Sequence, residues 1–194
     1  MKGLILCGGQ STRMGTDKGL IINEARTWAQ TAVDKLSSIP VAVLLSVNTQ
    51  QYETYSSIFP AAMLMRDDAS LNIKGPLLGV LSTSVAYPEE DLFVLACDMP
   101  LMDTSILQQL YDRYLNDRQY EAFVFVDDQQ PEPLCAIYTA AGLHKIYSAL
   151  QAGGLHKYSM KFALGLLPVC AIPITETQKP CFRNFNAHAA MNGL

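Results

Sequence analysis

Short, continuously apolar runs alternate along the chain with segments of helical period, and this alternation restricts the possible folds more than any other feature. The predicted strands cover residues 3–7, 41–47, 62–65, 92–97 and 122–126, and the predicted helices cover 25–38, 50–58, 76–87 and 104–116. Continuous apolar runs are typical of strands covered on both faces of a parallel sheet. The pattern therefore predicts a three-layer α/β/α fold with right-handed crossovers.

The second half of the chain departs from this alternation. Residues 122–138 are predicted to form two strands joined through DDQQPEP, and residues 168–173 form a late strand-like segment. We therefore expect a mostly parallel central sheet with some mixed-strand character in the C-terminal half. A length of 194 residues fits a single domain over residues 1–194.

Composition excludes several classes of protein. The net charge of −4 argues against a nucleic-acid partner, which would require a clustered basic face. Five cysteines form no Cys-x-x-Cys pair, so free thiols in a reducing compartment are favoured over a zinc or redox site. No apolar run approaches the ~18 residues of a membrane span, and the first apolar stretch is too short for a signal peptide. The expected location is cytoplasmic, without a membrane partner.

The first predicted strand leads directly into GGQSTRMGTDK, residues 8–18. Glycines here allow backbone N–H groups to approach a ligand closely, and Ser11, Arg13 and Lys18 add a hydroxyl and two cations. This combination suits a polyphosphate, whereas the simpler interpretation is a glycine-rich turn with solvated charges. Asp17 could orient Lys18 or bind a metal. The loop matches neither the P-loop nor the G-x-G-x-x-G pattern.

LCGGQSTRMGTDK resembles the L-x-G-G-x-S-x-R-M-G-x-D-K signature of molybdenum cofactor guanylyltransferases, which are MobA-like nucleotidyltransferases. The resemblance is strong over residues 3–100 and weak but traceable to about residue 192. It implies a Rossmann-like nucleotidyltransferase fold, with a nucleotide-binding half at 1–100 and an acceptor-binding half at 101–194. It also implies a set of nucleotide-binding residues in this loop: Leu6, Cys7, Gly8, Gly9, Ser11 and Lys18.

Asp98 ends the apolar run LFVLA within the segment CDMP. A carboxylate at the carboxyl end of a central strand is well placed to hold Mg²⁺, although an aspartate there can also cap the following turn. The segment resembles the family's C-D-[TM]-P, in which the aspartate is the magnesium ligand. The resemblance therefore implies a metal-binding and nucleotide-binding role for Asp98, and a catalytic role for Asp98, Lys18 and Arg13.

Two further segments are candidates for contacts with the nucleotide. GPLLG, which begins at Gly75, matches the family's G-P-L-x-G beside the base and ribose, although it also suits a plain helix start. An aspartate contacts guanine in the family, and counting back from GPLLG selects Asp68, with Asp67 as the alternative. Both could instead be solvated surface carboxylates. Ser46 and Asn48 match a polar pair near the base, or could form a local turn.

The C-terminal FRNFNAHAAM resembles the family's F-x-N-x-N-T-P-E-[ED]-L, which assigns Asn184 and Asn186 to the acceptor side. The chain departs from that pattern where Ala187 and His188 replace Thr-Pro, and where the acidic pair is absent. It departs again after Lys18, where the family usually has G-x-P-L.

The resemblance implies transfer of GMP from GTP to molybdenum-bound molybdopterin, giving the guanine dinucleotide cofactor and pyrophosphate with Mg²⁺ as the cofactor. GTP and molybdopterin would be the small-molecule partners, and other proteins of cofactor synthesis or insertion are candidate partners. The alternatives are a nucleotidyltransferase that uses CTP or another phosphorylated acceptor, and a catalytically silent nucleotide-binding regulator.

Overall fold

A seven-stranded sheet forms the centre of the protein in the computed structural model, which describes residues 1–8, 17–23 and 25–185. The strands are β1 (Lys2–Leu6), β2 (Ile22–Asn23), β3 (Arg26–Thr27), β4 (Ala42–Val47), β5 (Leu64–Arg66), β6 (Leu92–Ala96), β7 (Ala122–Asp127), β8 (Gln130–Tyr138) and β9 (Val169–Pro173). Strands β2 and β3 form a separate small hairpin, and the other seven lie in the order β5-β4-β1-β6-β8-β7-β9.

Six of the seven strands of the large sheet run in the same direction. β1 pairs in parallel with β4 and β6, β4 with β5, and β7 with β9. Only β8 runs the other way, because it is antiparallel to both β6 and β7. The predicted mostly parallel sheet with mixed character in the C-terminal half is confirmed.

Helices cover both faces of the sheet, as the three-layer prediction requires. They are α1 (Trp28–Leu36), α2 (Tyr52–Ser56), α3 (Pro76–Ala86), α4 (Thr104–Asn116), α5 (Ala140–Gln151) and α6 (Met160–Leu164). Apolar residues of α1, α2 and α4 join one buried cluster with Ile5, whereas residues of α3, α5 and α6 join a second cluster with Leu4. Neighbouring residues of one strand thus face different helical layers.

The first helix begins later than residue 25. Residues 25–27 instead belong to the β2–β3 hairpin, and Ala25 has a φ of 67° at its turn. Thr27 then caps α1: its hydroxyl accepts the backbone N–H of Gln30, while the Gln30 side chain accepts the N–H of Thr27. This reciprocal pair satisfies two backbone donors and fixes the helix start.

Helices α5 and α6 were not predicted from the sequence pattern. Each begins at a hydroxyl side chain that accepts a backbone N–H, Thr139 for α5 and Ser159 for α6. These caps are the sequence signals that would have identified both helices. Within the described ranges, no helix is long and apolar enough to cross a membrane.

The connection predicted across DDQQPEP is shorter than expected. Asp128 and Gln129, both with positive φ, form the turn, and β8 already begins at residue 130. Pro131 and Pro133 therefore lie within β8, although proline cannot donate to a ladder. Pairing with β6 covers only Cys135–Tyr138, so the prolines lie where β8 has lost β6 as a neighbour.

Gly79, which has no side chain, allows α3 to pack closely on the sheet. A Cβ at Gly79 would lie 2.1 Å from the hydroxyl oxygen of Ser46 in β4 and 3.1 Å from a methyl carbon of Leu6 in β1. The distance to Ser46 is shorter than any real Cβ contact and the distance to Leu6 is tight, so a side chain at this position would displace a neighbour.

We predict that Gly79→Ala lowers the free energy of unfolding by about 1–3 kcal/mol, because the new methyl group overpacks this contact. Gly154→Ala is the matched control, since its Cβ would meet only a carbonyl oxygen at 3.5 Å. Adding Ser46→Ala to Gly79→Ala should recover part of the loss, because it removes the nearest atom. Urea denaturation measures all three, and equal stability of the two glycine variants would contradict the prediction.

Candidate functional site

The sheet leaves a crevice where the connections leaving β1 reverse direction. The chain passes from β1 to β4 on one side, and later returns through α3 to β6 on the other side of β1. Ligands of open α/β sheets bind at such a switch point, beyond the carboxyl ends of the strands. A cavity of about 230 Å³ lies there, and its lining includes five residues predicted from the sequence: Leu6, Cys7, Gly8, Lys18 and Asp98.

Lys18 and Asp98 form an ion pair in this cavity. The Lys18 ammonium nitrogen lies 2.9 Å from a carboxylate oxygen of Asp98, although the two residues are 80 positions apart in the chain. Their side chains are 26% and 19% exposed, so each can be reached from the cavity. The fold therefore brings together the cation predicted to contact phosphates and the carboxylate predicted to bind the metal.

Asp17, next to Lys18, is held by three donors. Its carboxylate accepts the backbone N–H of Gly19 at 2.9 Å, the Gln51 amide at 2.7 Å and the Tyr55 hydroxyl at 3.1 Å. Burial raises the pKa of Tyr55, which keeps the phenol protonated and able to donate. These contacts favour an orienting role for Asp17 over metal binding.

The Gln51 side chain joins three segments of the site. Its carbonyl oxygen accepts the backbone N–H of Asn48 at 3.0 Å, and its amide nitrogen donates to the Cys7 carbonyl at 3.1 Å as well as to Asp17. The side chain therefore ties the end of β1 to the turn after β4 and to the segment that carries Lys18. Sequence reasoning missed Gln51 and Tyr55, because neither belongs to a motif.

Two hydrogen bonds to backbone carbonyls hold the segment around Asp98 in place. The backbone N–H of Phe185 donates to the Asp98 carbonyl at 3.0 Å, and the Lys35 ammonium donates to the Pro100 carbonyl. Burial lowers the pKa of Lys35. Asn184, predicted on the acceptor side, is exposed and directly precedes Phe185. The C-terminal segment therefore reaches the same end of the sheet as Asp98.

A second cavity, of about 300 Å³, shares Gly8 with the first. Its lining includes the predicted residues Asn48, Asp67 and Gly75, and also Lys74, which was not predicted. Gly75 precedes α3 with a φ of 79°, a conformation that favours glycine. Both cavities therefore lie against the segment that follows β1.

The two candidate aspartates differ in what surrounds them. Asp67 lines the second cavity, and burial raises the pKa of its carboxyl group. Asp68 is exposed, and its carboxylate caps the next turn by accepting the Ser70 N–H at 2.9 Å. Hydrogen bonding to the Ser70 side chain and to its backbone N–H lowers the pKa of Asp68. Counting back from GPLLG favoured Asp68, whereas the geometry favours Asp67 as the residue that faces a ligand.

Ser46 and Asn48 also differ from the expectation that both side chains reach the base. Ser46 is 1% exposed, and its hydroxyl donates to a carboxylate oxygen of Asp67 at 2.6 Å. The Asn48 side-chain oxygen accepts the backbone N–H groups of Gln50 and Gln51, each at 2.9 Å, which is the local turn considered as the alternative. Asn48 still lines the second cavity.

Comparison with known proteins identifies the family. The model of the MobA-like NTP transferase domain matches residues 3–162. The chain belongs to this family.

Similar proteins agree with that assignment. A probable molybdenum cofactor guanylyltransferase of Methanothermobacter thermautotrophicus is 30% identical over 185 residues, which cover 94% of this chain and 92% of that protein. One of Flavobacterium johnsoniae is 28% identical over 191 residues, covering 98% and 94%. The crystal structure of molybdopterin-guanine dinucleotide biosynthesis protein A from Archaeoglobus fulgidus has a TM-score of 0.74 at 23% identity, covering 96% and 92%.

The donor set of this MobA-like chain fits a magnesium ion shared with a nucleotide. Mg²⁺ bound with substrate phosphates usually takes one or two protein carboxylates, and Asp98 supplies one at the cavity wall. Burial raises the pKa of the neighbouring Cys7 thiol, which keeps it protonated and unsuited to a metal. No cluster of three or more metal-ligating side chains occurs among the described residues.

Four predicted site residues lie outside the described ranges: Gly9, Ser11, Arg13 and Asn186. Their roles stay predictions from the sequence.

We predict that Gln51→Glu disturbs the site, because a carboxylate oxygen would replace the donor that faces Asp17 and the Cys7 carbonyl. Loss of these bonds and repulsion between the carboxylates should cost about 1–3 kcal/mol of stability. Gln109→Glu is the matched control, since its oxygen accepts the Gln178 amide and remains an acceptor after the change. Thermal unfolding compares the two variants, and equal melting temperatures would contradict the role given to Gln51.

Proposed function

We propose that the chain transfers GMP from GTP to the terminal phosphate of molybdenum-bound molybdopterin, releasing pyrophosphate and forming the guanine dinucleotide cofactor. The observation that carries the proposal is the pairing of Lys18 with Asp98 at the switch point of the sheet. Membership of the MobA-like family and the names of the two guanylyltransferase relatives support the same reaction.

The proposed reaction forms a bond between an oxygen of the pterin phosphate and the α-phosphorus of GTP. The bond from that phosphorus to the bridging oxygen of pyrophosphate breaks, and pyrophosphate carries the electron pair away. The attacking phosphate is already ionised near neutral pH, so the step requires no general base. The main obstacles are repulsion between two anions and their alignment.

Lys18 reduces the repulsion between the two anions by donating to the triphosphate, and it stabilises the negative charge that develops on the leaving pyrophosphate. Arg13 is proposed to add a second cation from the same loop. Asp98 would hold the magnesium ion, which would neutralise negative charge on the substrate phosphates. Asp17, held by Gln51 and Tyr55, orients the segment on which Lys18 lies.

The base is proposed to occupy the second cavity. Asp67 supplies a carboxylate there, and an ionised carboxylate can only accept hydrogen bonds. Guanine presents two adjacent donors, N1–H and the 2-amino group, which an acceptor of this kind can pair. Gly75 and Asn48 would lie against the nucleoside.

The acceptor is proposed to bind on the C-terminal side of the cavity, within residues 101–194. Asn184 and Asn186 are the candidate contacts, and the bond from Phe185 to the Asp98 carbonyl supports this side of the site as their location. Free thiols at all five cysteines fit the proposed cytoplasmic location, where proteins of cofactor synthesis and insertion would exchange the pterin.

The experiment that tests the proposal is Mg²⁺-dependent release of pyrophosphate with molybdenum-loaded molybdopterin, comparing GTP, CTP and ATP. We expect turnover with GTP alone. Turnover with CTP alone would keep the mechanism but overturn the base assignment. Binding of GTP without release from any nucleotide would favour a different phosphorylated acceptor or a silent regulator.

We predict that Lys18→Met lowers kcat by about 100-fold or more, because it removes the cation that stabilises the leaving group. Asp98→Asn should also abolish Mg²⁺-dependent turnover and, in the absence of acceptor, weaken Mn²⁺ binding to the enzyme–GTP complex as measured by electron paramagnetic resonance. Lys157→Met, which changes an exposed lysine outside the site, is the control. Turnover near the control value in either variant would contradict the role proposed for that residue.

A further inference from the structure

A line of contacts runs from α3 through β4 to the second cavity. We propose that Ser46 is a positioning residue for base choice, because its buried hydroxyl fixes the Asp67 carboxylate in the orientation that recognises guanine. This inference rests on the proposed function, in which Asp67 pairs with the base. It changes the role that the sequence suggested for Ser46 from direct contact with the nucleotide to control of a neighbouring side chain.

Burial excludes direct contact between Ser46 and a nucleotide. The residue is 1% exposed and lies in neither cavity lining. Its hydroxyl carries a single proton, which is donated to Oδ1 of Asp67 at 2.6 Å. The Ser46 hydroxyl therefore acts on a ligand in the second cavity through Asp67, which accepts its proton.

Gly79 and Gly8 leave the space that the Ser46 and Asp67 side chains occupy. A Cβ at Gly79 would be 2.1 Å from the Ser46 hydroxyl oxygen, so that oxygen occupies the space that a side chain on α3 would fill. A Cβ at Gly8 would be 3.0 Å from Oδ2 of Asp67. Oδ1 is thus fixed by Ser46, while Oδ2 lies against the end of β1, at the residue shared by the two cavities.

A fixed and ionised carboxylate discriminates between bases. Guanine offers two adjacent donors to it, whereas adenine and cytosine place an acceptor ring nitrogen beside their amino group. A protonated carboxyl group would lose this discrimination, because it could donate to that ring nitrogen. Burial raises the pKa of Asp67, and the hydrogen bond from Ser46 opposes this effect and favours the ionised form.

The test measures the dissociation constants of Mg²⁺·GTP and Mg²⁺·ITP by calorimetry without acceptor. Inosine lacks the 2-amino group, so the ratio of the two constants reports on the pairing of that group. The proteins are the wild type, Ser46→Ala, Asp67→Asn and the double variant. Thr83→Val is the matched control, because it also removes a buried hydroxyl, one on α3 that donates to the Gly79 carbonyl rather than to Asp67.

We expect Asp67→Asn and Ser46→Ala each to lower the preference for GTP over ITP by about tenfold. The double variant should lower it no further than Asp67→Asn alone, because Ser46 acts through Asp67. Thr83→Val should leave the ratio at the wild-type value. If Ser46→Ala does not fold, Ser46→Cys leaves no cavity and supplies only a poor donor, so it should reduce the ratio in the same way.

Two results would overturn the inference and are distinguishable from each other. If Ser46→Ala weakens GTP and ITP equally while Asp67→Asn changes the ratio, Ser46 has only a structural role and the proposed base recognition stands. If Asp67→Asn itself leaves the ratio unchanged, recognition of guanine by Asp67 fails, and the role of Ser46 fails with it.

Discussion

The position of β1 between β4 and β6 is the constraint on which the rest of the site depends. The three strands are parallel and in register, with Leu6 opposite Ser46 on one side and Ala96 on the other. The backbone pairing continues one residue further, where the Cys7 N–H donates to the Ser46 carbonyl and the Cys97 N–H donates to the Leu6 carbonyl. Three chain segments distant in sequence therefore leave the sheet at the same level, and their polar side chains meet there.

The charges of the site follow from this convergence. In the free protein Lys18 and Asp98 neutralise each other, and both remain partly exposed. An ion pair of this kind stabilises a fold only slightly, because solvent screens it and both groups are well hydrated when separated. In the proposed reaction, a triphosphate would therefore replace Asp98 as the partner of Lys18, and a divalent metal ion would replace Lys18 as the partner of Asp98, at small cost. The acidic net charge of the chain does not oppose such a site, since its cations are local.

The sequence predicted the layers, the sheet and the residues at the strand ends, because these depend on local apolar runs and short motifs. It could not distinguish Asp67 from Asp68. Adjacent residues of extended backbone point to opposite sides, so a shift of one position decides which carboxylate faces the cavity. The backbone N–H groups show this difference, since that of Asp67 still pairs with Val47 of the sheet while that of Asp68 donates to the Ser82 hydroxyl. Gln51 and Tyr55 were missed because Asp17, to which both donate, is distant from them in sequence.

Glycines, which have no side chain, make room for the polar atoms around the end of β1. A Cβ at Gly19 would lie 2.1 Å from the Tyr55 hydroxyl that holds Asp17, just as one at Gly79 would collide with Ser46. In neither case does the backbone conformation require glycine, whereas Gly75 has a positive φ and open space around its α-carbon. Glycine is therefore required for space at the first two positions and for backbone conformation at the third. The orientation of both carboxylates, Asp17 and Asp67, thus depends on packing in the layer beneath the cavities as much as on the residues that line them.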